Sequence, residues 1–344
     1  MTTARSTPNI ALIKYWGNRS NELRLPMADS LSMTLDRPCV DVTVGHRDTL
    51  RVESFLADGT RKELKEKDIA RYGKAIELAK RYLSALGAAD AIPASLAIEI
   101  RSQIPPSVGF ASSAAVFSAL ARAIAGLIAD EIPLTNAQTS VIARLGSGSA
   151  CRGIGDGYVA IKAGEGDAID SAYAVHVAGP GHWTLHDIII VPNMEEKKVG
   201  STEGHATAHT SPHYTARVAA IREHRQRDCI DAVIRRDFEK LQRVAEEDCL
   251  DMHRVMQTST PPLQYLNDET YRIVGEVRSL REREHIPVLF TMDAGPTVHL
   301  FCPNEGVAAV RAYAHVQSNC AIFETKVGKG AHLVEEKEFA HQSA

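Results

Sequence analysis

Ser107-Val-Gly-Phe-Ala-Ser-Ser-Ala114 stands directly before a long apolar stretch with helical spacing. Pro105 and Pro106 end whatever precedes it. Gly109 lets the backbone come close to a ligand, because no side chain blocks the approach. Ser112 and Ser113 put two hydroxyls at the start of the helix. The first amides there lack intrahelical partners, and the helix dipole favours negative charge. Such a turn suits a nucleotide triphosphate. It is not the Walker arrangement, since no Gly-Lys-Ser/Thr follows the glycine. An N-capped core helix is the plain alternative, and the other motifs must choose between the two.

Around this segment the first half reads as strand-rich. Asn9–Trp16, Ser30–Leu35, Val40–Val44, Leu50–Phe55 and Ser95–Ile100 are short and rich in Ile, Val, Leu and Thr. Ile69–Leu86, Ala111–Ala129 and Thr135–Leu145 carry helical spacing. Strands are expected again at Tyr158–Lys162 and Trp183–Val191. The character changes near 192, where Met194–Pro212 is polar and rich in Gly, Ser, Thr and His. Helical periodicity follows over Tyr214–His224, Cys229–Arg235, Phe238–Met256 and Glu269–Glu284. Two strands, Val288–Met292 and Val298–Cys302, flank an Asp-Ala-Gly-Pro turn, before a helix over Gly306–Val316 and a strand over Ala321–Val327. This order predicts an α+β protein of two domains, 1–190 and 191–344.

Composition narrows the function classes. The 344 residues carry a formal charge of −4, which offers no general basic footprint for nucleic acid. No apolar run approaches the ~20 residues that span a bilayer. Met1–Thr7 is short and polar, unlike a signal peptide, so a cytoplasmic enzyme is expected. The six cysteines form no Cys-x-x-Cys pair and are expected as reduced, mostly buried thiols. His205 and His209 are four apart, but they lie in a Gly/Thr-rich stretch rather than a firm helix, which argues against a metal site.

Four further motifs carry chemistry. In Asn9-Ile-Ala-Leu-Ile-Lys-Tyr-Trp-Gly17, Lys14 is the only cation of an apolar run. A packed stem with its ammonium in a cleft makes a phosphate or carboxylate partner, whereas an edge-strand lysine would face solvent. In Gly146-Ser-Gly-Ser-Ala-Cys-Arg152, the hydroxyls of Ser147 and Ser149 converge with Arg152 if the chain turns back into a helix at Ala150. The guanidinium fork then grips a carboxylate or phosphate. Asp293, in Thr291-Met-Asp-Ala-Gly-Pro296, ends an apolar strand as either a turn former or a general base. Lys197-Lys-Val-Gly-Ser-Thr-Glu-Gly204 reads as a phosphate-binding loop or a solvated linker.

Together with Leu25-Pro-Met-Ala-Asp-Ser-Leu-Ser-Met-Thr-Leu35, these motifs resemble the mevalonate diphosphate decarboxylase branch of the GHMP kinase superfamily, in the family's order and over nearly the whole chain. The resemblance implies an N-terminal domain like the second domain of ribosomal protein S5 and a ferredoxin-like C-terminal domain, with the active site between them. It implies ATP with Mg²⁺, and C3 phosphorylation of a 5-phosphorylated mevalonate followed by loss of phosphate and carbon dioxide. Asp293 then matches the catalytic base, Arg152 the holder of the C1 carboxylate, and Lys14 the cation beside them. Ser107, Gly109, Ser112 and Ser113 match the ATP phosphate loop. Tyr15, Asn18, Ser147, Ser149 and Ser201 fall at substrate-binding positions. A small-molecule substrate, no nucleic acid, no membrane and a homodimer are expected.

The chain departs from the family pattern. Asn18 stands where diphosphate-using members carry a lysine, Thr202 where some carry an arginine, Thr297 where Asn is common, and Phe110 where a leucine is usual. Losing a cation weakens the case for a second phosphate. The expected reaction is (R)-5-phosphomevalonate to isopentenyl phosphate. Conversion of the diphosphate to isopentenyl diphosphate stays open, because Arg19 can stand in for the lysine. A mevalonate 3-kinase or a non-catalytic ligand-binding relative is the more distant alternative.

Overall fold

A computed structural model describes residues 1–93, 95–105, 112–192 and 200–334, with the side chains at 201–203 excepted. Its architecture is three main sheets and the helices that cover them.

The first sheet has six strands, in the order His332–Leu333, Thr2–Ser6, Val40–Arg47, Ser95–Ser102, Arg51–Leu56, Arg61–Lys62. Alternation along Ser95–Ser102 buries Leu96, Ile98 and Ile100 against the helices Glu66–Ala85, Ser112–Leu127 and Asn136–Gly146. The last of these helices starts at a reciprocal cap. Gln138 N donates to Thr135 Oγ1 at 3.2 Å, and Thr135 N donates to Gln138 Oε1 at 2.9 Å.

The second sheet runs Tyr173–Ala178, Tyr158–Lys162, Ser30–Thr34, Asn9–Ile13, all antiparallel. Asn9–Ile13 and Ser30–Thr34 are buried at every position. Such strands need cover on both faces. Ile10, Leu12 and Ile13 share a core with Leu241, Val244 and Met252 of the long helix Phe238–Thr258. The strand ends at Ile13, short of the expected Trp16, which frees Lys14–Gly17 to form the site.

The third sheet, Leu289–Thr291, Val298–Cys302, His186–Val191, Ala321–Lys326, is antiparallel and packs on the helices Asp268–Glu284 and Val307–His315. A division at 190 would cut His186–Val191, which pairs with strands on both sides; we propose a boundary just ahead of it. The strand His332–Leu333 returns to the first sheet, where His332 pairs with Arg5.

The expected break between Tyr214–His224 and Cys229–Arg235 is absent. A π-helical turn, Ile221–Arg225, joins Tyr214–Ala220 to Gln226–Arg235. The segment around His205 is also more ordered than its composition suggests, forming a helix over Ser201–Thr207. Among the described residues, no helix is long and apolar enough to cross a membrane.

Candidate active site

Lys14 follows directly on a fully buried strand, so its stem continues into the core and its side chain is 1% exposed. Its Nζ lies 2.7 Å from Asp293 Oδ1. Burying an ammonium is costly unless a carboxylate meets it, and here the partner comes from the turn after Leu289–Thr291. Asp293 is therefore not spent on its own backbone as a simple turn former. Burial pushes its carboxyl pKa up, but Lys14, His299 and Arg152 outweigh that and hold it below the ordinary carboxylate value. The group is ionised at neutral pH.

The main chain of Lys14 is gripped as well. Its N–H donates to Asp248 Oδ2 at 2.6 Å, and its carbonyl accepts from Arg217 Nη2 at 2.9 Å. Arg217 closes the loop by pairing with Asp248 at 3.0 Å, both side chains being buried. Arg225, in the π-helical turn, lies 3.6 Å from Asp248 and bonds Asp251 at 2.7 Å. Neither Asp248 nor Arg217 stands in a motif of the sequence; both fall within segments marked only by helical periodicity. A signal existed for Asp248: it falls on the apolar stripe of Leu241, Val244, Ala245, Cys249 and Met252. Behind the pair, burial depresses the pKa of His253 to about 4, with Lys14 adding to the effect, so this imidazole is neutral.

Arg152 lies in the 3₁₀ segment Gly148–Ile154, close to the turn back into helix expected at Ala150. It is buried; Nη1 donates to Ser30 Oγ at 2.6 Å and Nε to Asn9 Oδ1 at 3.3 Å. Asn9 in turn donates to the Ser149 carbonyl at 3.2 Å. The first strand thus fixes the arginine and the Gly/Ser turn together. Arg152 also lies close enough to Asp293 for mutual attraction.

Beside this centre is a cavity of about 310 Å³ lined by Tyr15, Asn18, Ser147 and Ser149, with Arg24, Arg71 and His205. Gly148 has to be glycine, because a Cβ there would collide with the Tyr15 ring. Burial raises the Tyr15 hydroxyl pKa to about 12, so the group stays protonated and donates to Asn18 Oδ1. His205 accepts from Gly17 N at 3.0 Å, and its ring lies 4.3 Å from that of Tyr15. Burial and neighbouring arginines depress its pKa to about 3. It packs the site as a neutral ring, and among the described residues no His/Cys/Asp/Glu group could hold a metal. Arg19 does not stand in for the absent lysine. Its guanidinium is committed to Gly166 O at 2.9 Å, Ser171 Oγ at 2.9 Å and the Pro26 carbonyl.

A second cavity, of about 240 Å³, is lined by Ser112, Ser113, Ile104, Pro105 and Phe117. It shares Arg71 and Ser113 with the first. Ser113 Oγ lies 3.3 Å from Ser147 Oγ across the shared wall. Arg71 is held by the Gly146 carbonyl at 3.0 Å and stacks over Phe117. Lys14, Arg152 and Asp293 line neither cavity; Tyr15, next in chain to Lys14, joins the two regions. Ser107, Gly109, Lys197 and Lys198 lie outside the described residues, as does the side chain of Ser201.

Comparison with known proteins gives the family and the fold. Residues 6–174 match the diphosphomevalonate decarboxylase-like N-terminal domain, and residues 187–342 match the mevalonate 5-diphosphate decarboxylase C-terminal domain. The chain belongs to the mevalonate diphosphate decarboxylase branch of the GHMP kinases. It is 33% identical to the diphosphomevalonate decarboxylase of Ganoderma lucidum over 90% of this chain and 80% of that one. It is 31% identical to the human diphosphomevalonate decarboxylase over 89% and 78%. The mevalonate diphosphate decarboxylase structure from Staphylococcus aureus superposes with a TM-score of 0.83 at 30% identity, covering 97% of this chain and 98% of that one. The Enterococcus faecalis mevalonate diphosphate decarboxylase gives 0.81 at 27% identity, with the same coverage. A structure described as MDDEF in complex with MVAPP, AMPPCP and magnesium gives 0.84 at 28%, again with that coverage. The fold is the two-domain α+β GHMP fold of these structures.

Proposed function

We propose that the protein is an ATP-dependent decarboxylase of a 5-phosphorylated mevalonate. The observation that carries this is the contact of ionised Asp293 with buried Lys14, with Arg152 close by. Asp293 accepts the proton of the C3 hydroxyl as that oxygen attacks the γ-phosphorus of ATP, and ADP leaves. Lys14 keeps the carboxylate ionised and offsets charge near the transferring phosphoryl group. Arg152 holds the C1 carboxylate. The C1–C2 bond then breaks, its electron pair forms the C2–C3 double bond, and the C3–O bond breaks to release phosphate with carbon dioxide.

The nucleotide fits the cavity shared through Arg71 and Ser113, where the helix Ser112–Leu127 starts with no acidic residue in its first turn. Mg²⁺ bound to nucleotide oxygens would neutralise charge there, with the Ser112 and Ser113 hydroxyls nearest. The relatives' names support the diphosphate as substrate, giving isopentenyl diphosphate. A second reading, 5-phosphomevalonate to isopentenyl phosphate, is favoured by Asn18 in the cavity and by Arg19 turned away from it. The test is a parallel assay of mevalonate, 5-phosphomevalonate and 5-diphosphomevalonate, following ADP and carbon dioxide together. ADP without carbon dioxide would make the protein a 3-kinase, and turnover of none would remove the enzymatic reading.

A further inference from the structure

Arg24 sits where a hairpin turns between Asn18–Ser20 and Leu25–Pro26. Its φ is +50°, in the left-handed region that side chains with a Cβ rarely adopt. The turn is nevertheless held from three directions. Buried Arg144 donates to the Leu23 carbonyl, Leu23 and Leu25 are anchored in the first core, and Arg19 ties the other arm to Gly166 and Ser171. This scaffold aims Arg24 into the 310 Å³ cavity.

The guanidinium meets no acid of the described residues there. Among the described residues no hydrogen bond or ion pair engages Arg24, and the cavity lining holds no Asp or Glu. Its charge is felt instead at Tyr15, at His205 and, repulsively, at Arg71. Two arginines facing one cavity without a counterion form a subsite for an anion of more than one charge. A phosphoryl group fits, since Tyr15 and the Ser147–Ser149 turn add neutral hydroxyls around it.

We propose that Arg24 is a specificity-determining residue that binds the substrate's 5-phosphoryl group opposite Arg71. The substrate's identity rests on the reading above; the anion subsite does not. Arg24 thereby supplies, from the far arm of the hairpin, a cation that position 18 lacks.

The experiment compares wild type, Arg24→Met and Arg24→Lys on 5-phosphomevalonate and 5-diphosphomevalonate. Losing a charge-assisted bond predicts a KM for the phosphorylated substrate raised about 10- to 100-fold in Arg24→Met. Its kcat should fall far less, KM for ATP should hold, and Arg24→Lys should recover part of the loss. A folded Arg24→Met with unchanged substrate KM overturns the proposal; a rise in KM for ATP instead would assign Arg24 to the nucleotide. If wild type turns over neither compound, the decarboxylase reading fails and the subsite is read with inorganic pyrophosphate. Wild type should then gain thermal stability that Arg24→Met does not, and no gain in wild type would sink the subsite.

Discussion

Lys14 and Arg217 each meet a carboxylate, at 2.7 Å and 3.0 Å, so these two cations near Asp293 are matched before any substrate arrives. In the adjoining cavity Arg24 and Arg71 face a lining that, among the described residues, offers no carboxylate. In the first region Lys14 and Arg217 keep an aspartate ionised and a lysine in place, while Arg152, bonded to neutral Ser30 and Asn9, is left for a substrate carboxylate. The second keeps its cations for a ligand. Proton transfer needs a defined protonation state, whereas anchoring a phosphate needs uncompensated positive charge.

Asp293→Asn removes the base and leaves Lys14 unmatched. We expect kcat to fall by about 10²–10⁴-fold, with ATP affinity, measured by titration, close to wild type. Near-normal turnover in the purified variant would remove Asp293 from the chemistry.

Asp248→Asn attacks the same region from behind. It leaves Arg217 and Arg225 without their shared buried carboxylate, a loss of about 3–5 kcal/mol in stability. Denaturant unfolding measures it. A change under 1 kcal/mol would mean that water or neighbouring acids already compensate the two arginines.

The Lys14–Asp293 contact also has a pH signature. Asp293 has a lowered pKa, so its ionised form is lost only as pH falls through values below the usual carboxylate range. In wild type the acid limb of kcat/KM from this group therefore lies at lower pH than an ordinary aspartate would set. Lys14→Met removes the largest of the lowering effects and leaves burial, which raises the pKa. The limb of the residual activity should then move to higher pH, and an unmoved limb would show that Lys14 does not set the charge of Asp293.

Much of this was legible in the sequence because it is local. The Gly146–Arg152 turn, the aspartate at the end of an apolar strand and the lysine inside an apolar run are each visible within a few residues. What escaped was long-range. Asp248 and Arg217 act on Lys14 only because the helix Phe238–Thr258 lies over the strand Asn9–Ile13, and periodicity reveals a buried face without naming what it meets. Arg71 lies in no motif, only in the helical segment Ile69–Leu86, yet the fold turns it between two cavities. Arg19 and Arg24 differ by five positions in one hairpin, yet one bonds Gly166 and Ser171 while the other lines the cavity, a difference their spacing does not reveal. His205 lies in a Gly/Thr-rich stretch that does not read as a firm helix, and the fold buries its ring against Tyr15 and Trp16.

The smallest expected effect concerns Asn18, at the edge of the unpaired region. Its side chain accepts from the Tyr15 hydroxyl and donates to Asn21 Oδ1 at 3.0 Å, so it is a neutral spacer in a cavity whose charge comes from Arg24 and Arg71. Asn18→Lys adds a third cation beside two that already repel each other. Part of its attraction for a second phosphate is offset by that repulsion and by the lost bond to Tyr15. An ion pair screened by nearby water contributes about 1 kcal/mol or less, so the ratio of kcat/KM for 5-diphosphomevalonate over 5-phosphomevalonate should rise by no more than about fivefold. A rise of two decades would mean that position 18, and not the arginine pair, decides how many phosphates the pocket accepts. No rise in a folded variant would leave phosphate number to Arg24 and Arg71 alone.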